Sequence, residues 1–166
     1  MQQQNTTKIK DSEIFIRKAE KSDLADVRNL VKELARYENE PTAVTASQKE
    51  YEDLFEEGWY ECIIATIDDK IIGIALYYKT FSTWKGRMLY LEDLVVTEPF
   101  RSKGIGQLLF DAVLKTAKAM NCALLKWQVL DWNKPAIRFY EKNKAIIETE
   151  WWNGKIIIDK EKYGLV

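Results

Sequence analysis

Arg101-Ser102-Lys103-Gly104-Ile105-Gly106 lies between an apolar run ending at Val96 and a long amphipathic stretch that starts at Ile105. A loop that enters a helix through two glycines exposes several backbone N–H groups to one point, and the helix N-terminus adds partial positive charge there. The segment therefore reads as a grip for an anion, with a glycine-bearing helix start and no ligand as the plain alternative. Two nucleotide motifs fail on spacing. A Walker loop needs Gly, four residues, then Gly-Lys-Ser/Thr. A dinucleotide fingerprint needs a third glycine where this chain has Leu109.

The periodicity on either side predicts a mixed α/β domain. Alternating apolar residues predict a strand over 13–18, and Leu24, Val27, Leu30, Val31 and Leu34 form the stripe of a helix begun at Ser22 or Asp23. Ser47-Gln48-Lys49-Glu50 is a capping-box pattern for a short acidic helix. Strands are predicted over 59–67, 71–79 and 88–96, with Asp68-Asp69 and Lys85-Gly86 at the turns. The helix over 104–120 buries Ile105, Leu108, Leu109, Ala112, Val113, Ala117 and Met120. A strand over 123–130, a helix opening at Asn133-Lys134-Pro135, and a hairpin over 145–159 turning at Asn153-Gly154 complete the order. Residues 1–10 read as a flexible tail and 11–166 as a single domain.

Composition narrows the chemistry. The formal net charge of −1 argues against broad binding to nucleic acid, and no apolar run is long enough for a membrane span. Cys62 and Cys122 form no metal-like pair and fit a reducing cytoplasm. There is no histidine, which removes Ser-His-Asp and Cys-His catalysis and the common zinc sites. No metal is expected, and acid–base work falls to Glu, Asp, Tyr, Lys or water.

The pattern Arg-x-x-Gly-x-Gly between a strand and a long helix resembles the acetyl-CoA signature of the GNAT N-acetyltransferase superfamily. Further blocks are similar to one branch, the diamine (spermidine/spermine) and thialysine N-acetyltransferases. They are Lys32-Glu33-Leu34-Ala35-Arg36-Tyr37-Glu38, Leu89-Tyr90-Leu91-Glu92-Asp93, and Asp131-Trp132-Asn133 followed by Phe139-Tyr140. Ser82-Thr83-Trp84-Lys85-Gly86-Arg87 resembles the thialysine subgroup. The similarity runs from about Ile14 to Lys160. It implies a central, mostly antiparallel mixed sheet of six or seven strands flanked by about four helices, a homodimer, and acetyl-CoA as cosubstrate.

The resemblance also assigns roles. Ser102, Lys103, Gly104, Ile105, Gly106 and Gln107 take the CoA pyrophosphate, with Arg101 adding charge or orienting the loop. Leu94, Val95 and Val96 pair through their backbone with the pantetheine arm. Asn133, Lys134, Pro135 and Ala136 hold CoA, although Asn133 alone reads as a helix cap. Tyr140 supplies a proton to the departing thiolate, although Phe139-Tyr140 alone reads as packing. Tyr37 and Glu38 line the amine pocket. Glu92 binds the cationic amine or acts as its base through water. Asp93 either binds substrate or sits in a salt bridge. Adjacent residues on a regular strand face opposite sides, so Glu92 and Asp93 are not expected to share a role.

Two departures bear on substrate. Polyamine-acetylating members carry an acidic residue where this chain has Ser82. The stretch Glu148-Thr149-Glu150-Trp151-Trp152 does not match their acidic segment. Both favour a shorter amine, a thialysine-like amino acid or a lysine-like side chain. No Cys or Ser stands in a convincing nucleophile setting, so transfer is expected to be direct, in a ternary complex. A protein lysine or N-terminal acetyltransferase and a non-catalytic acyl-CoA-binding module are the competing readings. Trp151 and Trp152 fit either a dimer interface or the core.

Overall fold

The computed structural model describes residues 5–9 and 12–164. The chain forms two compact units, one reaching Lys126 and the other beginning at Trp127. The first holds one six-stranded sheet in the order β1-β2-β3-β4-β5-β6. Its strands are β1 (Asn5–Ile9), β2 (Ser12–Lys18), β3 (Glu61–Ile67), β4 (Lys70–Ser82), β5 (Gly86–Val96) and β6 (Leu124–Lys126). Neighbours are antiparallel except β5 and β6, which are parallel. Its helices are α1 (Leu24–Tyr37), α2 (Gln48–Glu56) and α3 (Ile105–Ala119). Residues 5–9, read from sequence as part of a tail, form β1 because their backbone finds a ladder along β2. The rest of that tail lies outside the described residues.

β3 is buried on both faces, as a central strand must be when helices cover each side of the sheet. Cys62 and Ile64 of β3, Ile74 and Leu76 of β4 and Val95 of β5 pack against Val27 and Leu30 of α1. The other face meets α3. There Gly73 lets the helix settle close: a Cβ at that position would lie 3.0 Å from Leu109 Cδ1 and from the Val95 carbonyl oxygen. The stripe of α3 differs in detail from the expected one. Ile105, Leu109, Val113 and Ala117 are buried, Phe110 joins them, and Leu108, Ala112 and Met120 are half-buried.

Local signals formed where their side chains found partners. Ser47 and Glu50 close the capping box that starts α2, the Ser47 hydroxyl accepting from the Glu50 N–H and the Glu50 carboxylate from the Ser47 N–H. Asp68 and Asp69 turn the β3–β4 hairpin with positive φ angles, 47° and 61°. Asp23 precedes α1, but its carboxylate takes Arg17 at 2.6 and 2.9 Å and the Glu20 N–H instead of capping the helix.

The second unit contains α4 (Lys134–Lys142), and among its described residues no strand forms. The expected strand over 123–130 stops at Lys126, and the expected hairpin over 145–159 has no ladder. A strand needs a partner to satisfy its backbone, and this segment also leaves Ile146, Ile156 and Ile158 almost fully exposed. Trp151 and Trp152 are exposed too, which removes the core reading for them.

Candidate functional site

The β5–α3 connection has the geometry of an anion grip. A 3-10 turn over Glu98–Phe100 ends β5, Ser102 takes a positive φ of 59°, and Gly104 stands at the N-cap of α3 with φ 83°. Gly104 is thus required by its backbone. Gly106 is not: a Cβ there would meet only Val96 Cγ2, at an ordinary 3.9 Å. The protein itself has no need of a glycine at 106, and the space left open lies over the first turn of α3, where helix N–H groups lack intrahelical partners. A phosphate group fits such a cradle. Ser102, Lys103, Gly104, Ile105, Gly106 and Gln107 all lie on this loop and the first turn of α3. Arg101 does not reach outward. Its Nε donates to the Val96 carbonyl at 2.9 Å and Nη2 to Glu33 at 3.2 Å, so it orients the loop. The Lys103 ammonium donates to the Pro99 carbonyl at 2.7 Å.

β5 pairs differently along its two edges. Against β4 its ladder runs from Gly86 to Val96. Against β6 it runs only over Met88, Leu89 and Tyr90, paired with Leu124, Leu125 and Lys126. Beyond Tyr90 that edge has no strand partner among the described residues, and Leu94, Val95 and Val96 lie on this stretch. An open edge of this kind accepts an extended ligand through main-chain hydrogen bonds.

The ladder between β4 and β5 breaks register at one point. Leu76 faces Asp93 and Tyr77 faces Leu91, which leaves Glu92 as the extra residue of a β-bulge. Tyr90 and Glu92 keep one alternation, Asp93 and Val95 the next, and the slip brings both carboxylates to the face covered by α1 and α2. The expectation that Glu92 and Asp93 point apart is thereby corrected. Both line a cavity of about 460 Å³, with Val31, Tyr51, Leu54, Tyr60, Leu76, Tyr78 and the loop residues Ala43, Val44, Thr45 and Ala46.

The electrostatics of this cavity are unusual. Burial, then the charge of Glu92, then that of Glu38, raises the Asp93 carboxyl to about 7. No cation pairs with it among the described ion pairs, so the salt-bridge reading of Asp93 fails. Burial also raises Glu38, which is not among the residues lining the cavity but whose charge bears on Asp93. The Tyr51 and Tyr78 phenols are pushed up to about 12, chiefly by burial, with Asp93 and Glu92 adding to the rise at Tyr51 and Glu92 and Tyr90 to that at Tyr78, so both stay protonated donors. The Tyr60 hydroxyl donates to the Tyr51 carbonyl at 2.7 Å, and the Tyr78 and Tyr90 rings stack 5.2 Å apart. Tyr37 sits apart from the cavity, its ring 5.1 Å from the Arg101 guanidinium. The tyrosines at 51, 60 and 78 were missed from sequence. Tyr51 lies one turn into a helix that reads as a solvated acidic face, and only the fold turns that residue inward.

In the second unit Asn133 caps α4, its side-chain oxygen accepting from the Ala136 N–H at 3.3 Å, with Lys134 and Pro135 opening the helix. Tyr140 is the buried residue of α4, its ring 4.6 Å from that of Trp127 and 5.3 Å from that of Phe139.

Known proteins supply an independent comparison. The model of the acetyltransferase (GNAT) family matches residues 25–144. A thialysine N-epsilon-acetyltransferase from Bos taurus is 34% identical over 152 residues, covering 84% of this chain and 89% of that protein. A human spermidine/spermine N(1)-acetyltransferase-like protein 1 is 32% identical over 143 residues, 79% of this chain and 20% of that protein. Among solved structures, an aminoglycoside acetyltransferase from an uncultured soil sample superposes with a TM-score of 0.75 at 17% identity, over 88% of this chain and 97% of that one, and shares the fold. A match that runs from α1 to just past α4 and takes in the grip, the open edge and the bulge places the chain in the GNAT family of acetyltransferases.

Proposed function

We propose that the chain is an acetyl-CoA-dependent N-acetyltransferase whose acceptor is the primary amine of a small cationic molecule, a thialysine-like amino acid or a short diamine. The observation that carries the reading is the bulge at Glu92. It joins two carboxylates in an aromatic-lined cavity beside the open edge of β5. An ammonium is attracted by the carboxylates and by the faces of Tyr51, Tyr60 and Tyr78. A free alkylamine has a pKa of about 10.4 and must lose a proton before it attacks. Asp93, titrating near neutrality, is suited to accept that proton directly or through water, and Glu92 at the cavity mouth to hold the cation. For Glu92 this keeps the first of the two roles read from sequence, and it gives Asp93 the base role that sequence had offered to Glu92.

Acetyl-CoA supplies the thioester whose acetyl group passes to the amine nitrogen. The grip at 102–107 orients its pyrophosphate, and the edge at 94–96 aligns the arm toward Asp93. Asn133, Lys134, Pro135 and Ala136 are further CoA contacts in this reading, and Tyr140 is the donor that protonates the sulfur as the C–S bond breaks. Transfer is direct. Cys62 is buried, and burial pushes its thiol up, a setting that keeps it protonated and inert. The loop residues Ala43 to Ala46 in the cavity wall favour a small acceptor over an extended peptide. A homodimer in the cytoplasm belongs to the same proposal.

Thiol release from acetyl-CoA across thialysine, diamines, spermidine, spermine and lysine peptides tests it. Thialysine or a short diamine should exceed spermine in kcat/KM by about tenfold, the worth of one charge-assisted contact. Release with lysine peptides alone would overturn it.

A further inference from the structure

We propose that Glu33 is a positioning residue that locks the β5–α3 loop onto α1 in the shape that receives the pyrophosphate. The inference rests on acetyl-CoA binding at that loop, and adds a residue that neither lines the cavity nor faces the grip. Glu33 Oε2 accepts from the Thr97 hydroxyl at 2.9 Å, and Oε1 accepts from the Glu98 N–H at 3.0 Å and from Arg101 Nη2 at 3.2 Å. One carboxylate thus joins three residues of a five-residue stretch. Arg101 completes the lock through the Val96 carbonyl and by stacking over Tyr37. Glu33 and Tyr37 are four apart on α1 and so lie on one face of it.

Three consequences follow from this geometry. The guanidinium of Arg101 is held toward α1, so the grip depends on backbone N–H groups whose directions are set by the loop. The Glu33 charge is offset by Arg101 and does not repel an anion. The loop is short and carries two positive φ angles, at Ser102 and Gly104, so a shift at 97–101 re-aims every N–H that follows. Misplacement on the scale of an ångström is enough to weaken a preorganised site.

The test compares two acetyl donors and one direct binding measurement. S-acetylpantetheine lacks the pyrophosphate; acetyl-CoA carries it. In Glu33→Ala the ratio of kcat/KM for acetyl-CoA to that for S-acetylpantetheine should fall about tenfold, the equivalent of one charge-assisted hydrogen bond. Calorimetry should show CoA affinity falling by the same factor. Glu33→Gln keeps an oxygen for Glu98 and Arg101 and an amide for the Thr97 hydroxyl, and should recover most of the loss. Thr97→Val removes one anchor without touching the ion pair and should give a smaller fall of the same kind, which keeps the inference testable if Glu33→Ala melts early. An unchanged ratio with unchanged CoA affinity in both variants overturns the inference, as does a wild-type protein that does not bind CoA. CoA binding that weakens in Glu33→Ala in a protein that acetylates no amine supports Glu33 and overturns the acceptor reading alone.

Discussion

β5 carries two candidate regions, one on each side of Leu94, Val95 and Val96, and they are built from different materials. Past its C-terminal end the grip is made of backbone: N–H groups at the start of α3, aimed by Gly104, with Gly106 leaving room. A few residues upstream of Val96 the proposed acceptor cavity is made of side chains: Glu92 and Asp93 brought to one face by a bulge, among tyrosines. A backbone site costs the fold little, because its groups are the orphan donors every helix start possesses. A side-chain site that buries a carboxylate without a cation is a standing cost to stability. The first region depends on the contacts that hold its loop in shape and on the space left at Gly106. In the proposed reading the second trades stability for chemistry.

Asp93→Asn separates these properties most sharply. Activity should fall about a hundredfold or more in kcat/KM, the scale of losing a positioned general base. Stability should move the other way. The Asp93 carboxyl is raised from 3.8 to about 7 in the folded protein, so the folded state holds its proton more tightly than the unfolded state. Stability therefore falls as pH rises from about 4 to about 7 and the burden is constant above that range. Asparagine carries no such burden. The melting temperature of the variant, measured from pH 4 to 8, should gain on the wild type through this window. The wild-type kcat/KM should show a rising limb near pH 7 that the variant lacks. A variant less stable than the wild type at pH 8 would break the comparison.

Gly106→Ala probes the other region with a smaller effect. The methyl group meets nothing closer than Val96 Cγ2 at 3.9 Å, and alanine replaces glycine inside a helix. The fold should gain about 0.5–1 kcal/mol, read as a higher melting temperature. The KM for acetyl-CoA should rise about tenfold as the methyl enters the phosphate cradle, the equivalent of roughly 1.4 kcal/mol. Higher stability with an unchanged KM would mean that position 106 is an ordinary helical glycine.

The two regions also differed in how far the sequence disclosed them. The grip is local: strand, two glycines and helix follow one another within twenty residues, and the spacing alone separated it from two other phosphate motifs. The proposed acceptor cavity is not local. Nothing in Leu89-Tyr90-Leu91-Glu92-Asp93 shows that Glu92 will be left unpaired, because a bulge is a mismatch between two strands and each strand alone looks regular. Regular alternation sent Glu92 and Asp93 apart; register against Leu76 and Tyr77 put them together. Arg101 was half legible. Its place before the glycines was plain, but its commitment to Glu33 depends on α1, more than sixty residues upstream. Over 145–159 the turn residues promised a hairpin, and the local signal did not produce a ladder.

Ser47→Ala tests the same contrast with the smallest change. The Ser47 hydroxyl accepts from the Glu50 N–H and so fastens the first turn of α2, which carries Tyr51 and Leu54 into the cavity wall. Losing the cap costs a helix about 1 kcal/mol. Because α2 is only nine residues long, that loss should loosen the wall it forms. The KM for the amine should rise about twofold to threefold, a fraction of the 1.4 kcal/mol that a tenfold change represents. The KM for acetyl-CoA should stay put, because the capped turn has no part in the β5–α3 loop. Equal rises for both substrates would mean that α2 supports the whole sheet and not the cavity alone, and the division of β5 into two independently built regions would fail.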